Sequence, residues 1–127
     1  MATFSIMVCA SHYANQSNQS ALRFAQAVIA ESHAINGIFF YQEAVTTANR
    51  YNHPPSDEPN ITQAWQTLAQ EHQVPLLLCI TAAEKRGIIG PDTHPQASMN
   101  IADGFQVTGM AEFASLAIEA DRVIQFK

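Results

Sequence analysis

A chain of 127 residues, 47% hydrophobic and 13% charged, has the length and apolar content for one buried core, and the reading is a single domain over 1–127. With a formal net charge of -5 and only six Lys and Arg residues, it lacks the clustered cations that phosphate neutralisation requires. Direct binding to nucleic acid or to an anionic membrane is therefore not expected, and the longest apolar run, VPLLLCI, falls far short of the roughly 18 residues of a membrane span.

In chain order, the first element is a strand over TFSIMVCA (3–10). It is not preceded by the charged region and cleavage site of a secretory leader, which predicts a cytoplasmic location. The next loop, ASHYANQSNQS, contains no glycine, so it reads as turn and cap formers and not as a phosphate cradle for a flavin or dinucleotide. Ser11 and His12 stand without a G-x-S-x-G elbow, which leaves a hydrolase triad unsupported.

A helix follows over 17–32, with Leu22, Ala25, Val28 and Ile29 on one face. The second strand is AINGIFFY (34–41). The stretch 48–60, rich in Pro and Asn, reads as a long functional or mobile loop. The next helix, over 60–72, buries Ile61, Ala64, Trp65 and Leu68 and is capped by Asn60, with Gln63 reaching back.

The third strand, VPLLLCI (74–80), ends on Cys79. Thr81 and Glu84 form the pattern T-x-x-E, which predicts a helix starting at Thr81. Cys79 then lies at the carboxyl end of a strand, two residues from a helix N-terminus whose partial positive charge favours a thiolate, with Lys85 and Arg86 a turn further on. The competing reading is a small core hydrophobe.

A second aperiodic stretch, GIIGPDTHPQASMN (87–100), precedes strands over 104–109 and 121–126, which flank a helix carrying Phe113, Leu116, Ala117 and Ala120. Strands alternating with helices define an α/β three-layer sandwich, α/β/α, with a mostly parallel five-stranded sheet of flavodoxin-like architecture. Most of its strands are apolar runs, as burial on both faces requires.

Cys9 also sits near the carboxyl end of its strand and reads as core packing; a resolving pair with Cys79 is conceivable if the two strands are neighbours. The five histidines, His12, His33, His53, His72 and His94, lie about twenty residues apart, a spacing that matches no metal site. His12 is the one histidine that could share an edge with Cys79 and polarise its thiol. Met7, Met99 and Met110 read as core.

The segments ALRFAQAVIAESHAINGIFFYQEAVTTANR, SDEPNITQAWQTLAQEHQVPLLLCITAAEKRGII and FASLAIEADRVIQF together resemble the DsrE/TusD family of small sulfur-relay proteins. The resemblance implies a sulfurtransferase subunit, without a cofactor or metal, that carries a persulfide on Cys79. Only Cys79 is carried over as catalytic. Tyr13 matches a tyrosine of the family's first loop, although ASH stands where glycine and proline usually precede it.

The implied partners are TusB-like and TusC-like sibling subunits (DsrH-like and DsrF-like), a TusA-like donor and a TusE-like (DsrC-like) acceptor. The implied assembly is a hetero-oligomer, possible also as a homo-oligomer in isolation, that serves 2-thiolation of tRNA wobble uridine. The alternatives are DsrE-type sulfur trafficking in sulfur oxidation, a non-catalytic assembly subunit, and a flavodoxin-like ligand-binding module.

Overall fold

The computed structural model describes residues 1–90 and 99–127, so His94 and most of the aperiodic stretch 87–100 lie outside the described residues. Strands β1 Thr3–Val8, β2 Ala34–Phe40, β3 Leu76–Cys79, β4 Phe105–Thr108 and β5 Arg122–Phe126 form one sheet in the order β4-β3-β2-β1-β5. Every pairing is parallel. Helices α1 Ser17–Ala30, α2 Ile61–His72, α3 Ile80–Lys85 and α4 Met110–Glu119 join the strands, and a 3-10 helix over Gln42–Ala48 follows β2.

Alternation along the strands divides the core between two faces. Phe40 packs edge-on against Trp65 of α2, and Phe126 packs against Phe24 of α1, so α1 and α2 share one face. Phe39 stacks on Phe113 of α4 at 4.9 Å, which places α4 on the other. A register shift between Phe4 and Ser5 turns Asn36 toward α4, where its amide donates to the Leu116 carbonyl at 2.9 Å and its oxygen accepts from the Ser5 hydroxyl.

The helical periods emerge where their spacing predicts. Leu22, Ala25 and Val28 are buried on α1, and Ile61, Trp65 and Leu68 on α2. The Asn60 side chain accepts the Gln63 backbone N–H at 3.0 Å and so caps α2. A polar network not visible in the periodicity ties these helices together: buried Asn18 accepts from Trp65 Nε1 at 2.9 Å and donates to the Ala10 carbonyl and the Thr47 hydroxyl.

Three expectations are corrected. The helix after β3 begins at Ile80, not Thr81; Cys79 is its N-cap and makes no side-chain cap bond, so the T-x-x-E box does not form. The strand runs straight into the helix, and Thr81 and Glu84 are left exposed within it. Strand β5 is not buried on both faces: it is an edge strand whose Val123 is 48% exposed. Met99 and Met110 are likewise exposed, whereas Met7 is half-buried.

The start of the stretch 48–60 is tied to the body, while residues 55–59 are exposed. The Asn52 amide donates to the Thr46 carbonyl at 2.8 Å, and Asn49 bridges to Ile101.

Candidate active site at the carboxyl edge of the sheet

Register sets the site. Val8 pairs with Phe40, Phe40 with Leu78, and Cys79 with Thr108, so the row at the carboxyl edge reads Thr108, Cys79, Tyr41, Cys9. Partners in a row point to the same face, and Tyr41 shares the Phe39 side, 6.2 Å ring to ring. Both cysteines are free and 7% exposed, on the face that α4 covers incompletely. This edge is where open parallel sheets place reactive groups.

Cys79 lines a cleft of about 520 Å³ built from the ends of three adjacent strands: Tyr41 and Gln42 beyond β2, α3 beyond β3, and Gly109 with Met110 beyond β4. Cys79 is thus a wall residue of the cleft, although only 7% of its surface is exposed. Ile80 and Met110, 37% and 42% exposed, are its apolar lining. Cys79 makes no side-chain cap bond to α3, so among the described residues the first-turn N–H groups of the helix have no side-chain cap. In a helix of six residues these local donors, more than any macrodipole, favour an anion there.

Lys85 and Arg86 line the same cleft, as their spacing predicts. Arg86 donates from Nε and Nη2 to one oxygen of Glu43, at 2.9 and 2.6 Å, and from Nη1 to the Ala82 carbonyl at 3.1 Å. The hydrogen bond from Arg86 holds the Glu43 carboxyl below its usual range, with direct charge attraction adding to it. In return Arg86 is held more firmly protonated, first by Glu43, with smaller contributions from the Cys79 and Tyr41 groups.

Cys9 lines a second cleft of about 510 Å³, with Ser11, Asn15, Gln125 and Lys127; its sulfur accepts an N–H from Gln125 at 3.4 Å. Tyr41 and Gln42 line both clefts and stand between the sulfurs. Gln42 adopts the left-handed backbone region (φ 53°), which turns the chain from β2 into the 3-10 helix at this wall. Because β2 separates β1 from β3, the two cysteines are about two strand spacings, roughly 10 Å, apart, and the conceivable resolving pair cannot close in this geometry.

His12 is buried beside the exposed ring of Tyr13, 4.3 Å centroid to centroid, and neither residue lines the Cys79 cleft. Among the described residues His12 Nδ1 has no hydrogen-bond partner, and burial pushes the imidazole below its ordinary pKa of 6.5. The unfolded chain therefore binds more protons just below pH 6.5, so stability is lost as pH falls from there through the lower folded value. Thermal melts from about pH 7.5 to about pH 5.5 are expected to show a steeper fall for wild type than for His12→Gln; parallel curves would contradict this.

Among the described residues the long loops do not supply the cleft walls. Its lining comes from Tyr41, Gln42, the segment 79–86, Gly109 and Met110, and from no described residue of 48–60 or 87–100. Tyr41, Gln42, Gly109 and Met110 escape a reading by spacing because only the sheet order brings them together. Among the described residues no group of three or more His, Cys, Asp or Glu is placed to hold a metal.

The class is a parallel α/β sandwich with two free cysteines at the carboxyl edge of its sheet. The chain belongs to the DsrE/DsrF-like family, whose model matches residues 3–126. It is 42% identical over 127 residues to the protein named sulfurtransferase TusD homolog of Vibrio parahaemolyticus, covering 98% of this chain and 97% of that one. To the sulfurtransferase TusD of Pectobacterium carotovorum it is 40% identical over 129 residues, covering 99% of this chain and 100% of the relative. The crystal structure of the ychN protein from E. coli superposes with a TM-score of 0.81 at 27% identity, over 99% of this chain and 100% of that one.

Proposed function

We propose that the chain is a sulfurtransferase of the TusD kind and that Cys79 is the residue that carries the sulfur. The observation behind this reading is the free Cys79 thiol in the wall of an open cleft, at the N-cap of α3, in a chain 40% identical to a TusD sulfurtransferase over nearly its full length. The Cys79 thiolate attacks the outer sulfur of a donor persulfide. The new S–S bond forms on Cys79 as the donor's S–S bond breaks, and the donor leaves as a thiolate. An acceptor thiolate then repeats the exchange and regenerates the Cys79 thiolate, so no net oxidant, reductant or cofactor is consumed.

In this reading TusA-like and TusE-like proteins are the donor and the acceptor, and TusB-like and TusC-like subunits complete the assembly, which serves 2-thiolation of tRNA wobble uridine. The exposed Ile118, Val123 and Met110, on the side of the sheet that carries α4, are apolar surface suited to sibling subunits. The acidic net charge of -5 fits an indirect role in RNA modification, in which the protein hands sulfur to another protein and does not grip the nucleic acid.

The test is to incubate the protein with a persulfurated donor protein and to map the added mass, about 32 Da, by peptide analysis. Loading on the Cys79 peptide is expected. Loading confined to Cys9, or none from a donor that charges a TusD relative in parallel, would overturn the assignment.

A further inference from the structure

Arg86 is the C-cap residue of α3, at the far end of the helix from Cys79, yet its side chain does not stay there. It folds back to donate to the Ala82 carbonyl, four residues earlier, and lines the same cleft as Cys79. Glu43, on the 3-10 helix after β2, fixes it there through Nε and Nη2. Among the described residues three of the five guanidinium N–H groups are engaged, leaving one on Nη1 and one on Nη2. The side chain is 26% exposed and lines the Cys79 cleft.

We propose that Arg86 is the counter-charge for the sulfur anion on Cys79, and that Glu43 is the positioning residue that holds the guanidinium, with its two unspent N–H groups, against the cleft wall. This deepens the proposed function and rests on Cys79 being the sulfur carrier. A persulfide carries its negative charge one S–S bond, about 2 Å, further into the cleft than a thiolate does. A fixed fork with donors to spare suits a charge that moves outward in this way, because it remains protonated and its geometry is pre-organised.

Among the described residues the other titratable side chains that line the cleft are Tyr41 beyond β2 and Lys85 on α3; Glu84 on α3 and Glu112 of α4 belong to the elements that form its walls. The Glu112 carboxylate accepts the Gly109 N–H at 3.0 Å on the facing wall. Glu43 itself opposes a sulfur anion by charge and favours it by holding Arg86. These two effects have opposite signs, which makes them separable.

The experiment is alkylation of Cys79 as a function of pH, read on the Cys79 peptide by mass, in wild type, Arg86→Gln, Glu43→Gln and Glu43→Ala. Arg86→Gln is expected to move the profile to higher pH and to slow alkylation near neutrality roughly threefold or more. Glu43→Ala is expected to move it the same way, because the guanidinium is released, whereas Glu43→Gln keeps an acceptor oxygen and leaves the profile at or below that of wild type.

An Arg86→Gln profile superposed on wild type overturns the counter-charge role. A Glu43→Ala profile that is unmoved, or moved to lower pH, overturns the positioning role. Alkylation needs no sulfur donor, so these outcomes stand whether or not Cys79 accepts sulfur.

Discussion

Cys79→Ser is expected to leave a folded protein that takes up no sulfur, with donor-dependent loading reduced by about a hundredfold or more, while Cys9→Ser loads as wild type does. The substitution exchanges one buried atom and keeps the N-cap of α3 in place, so the thermal midpoint is expected to stay within a few degrees of wild type. What is lost is the nucleophile: a serine hydroxyl is not ionised near neutral pH and forms no stable bond to sulfane sulfur. Cys9 cannot substitute for it, because its sulfur opens into a different cleft beyond Tyr41 and Gln42. Intact mass with circular dichroism separates loss of chemistry from loss of fold. Equal loading of Cys79→Ser and wild type would remove Cys79 from the mechanism.

The largest expected effect on stability is at Trp65. Its side chain is fully buried, packs edge-on against Phe40 at 5.3 Å and donates to Asn18 at 2.9 Å. Trp65→Ala is expected to cost about 3–5 kcal/mol from the cavity alone, with a further penalty for the Asn18 oxygen left without a donor. The midpoint should fall by about 10–20 °C. Trp65→Phe keeps most of the ring but not the N–H, and is expected to cost about 1–3 kcal/mol. Urea unfolding of both variants checks the order, and a loss below about 1 kcal/mol for Trp65→Ala would show that the Asn18 network does not tie α1 to α2.

The same network reaches the site. Asn18 holds the Ala10 carbonyl, next to Cys9, and the Thr47 hydroxyl of the 3-10 helix that carries Gln42 and Glu43. A polar cluster in the layer of α1 and α2 therefore braces the wall between the two clefts. Its weakening is expected to be felt at the carboxyl edge before the sheet itself opens.

The covered strands are legible in the sequence because continuous apolar runs such as IFF and LLLC have one physical explanation, burial on both faces. Strand β5 is legible as a strand, but its place in the sheet is not. Its Val, Ile and Phe look like a central strand, and only the sheet order, set by crossovers that leave no local trace, puts it at the edge. The Thr81–Glu84 signature fails because it competes with an unbroken passage from β3 into α3, which makes the cysteine itself the cap. Cys79 and its basic neighbours are readable from spacing along one segment. The cleft around them is not, because Tyr41, Gln42, Gly109 and Met110 arrive from two other strands.

The strand between the two thiols also decides how the chain meets oxidants. With β2 interposed, peroxide cannot lock Cys79 into an internal cystine with Cys9. Oxidation at either position instead passes through a sulfenic acid that only a thiol or reductant from another molecule can intercept, and that further peroxide carries irreversibly to the sulfinic and sulfonic acids. The separation thus exchanges one hazard for another: neither thiol can be locked by its sibling, and neither can be rescued by it.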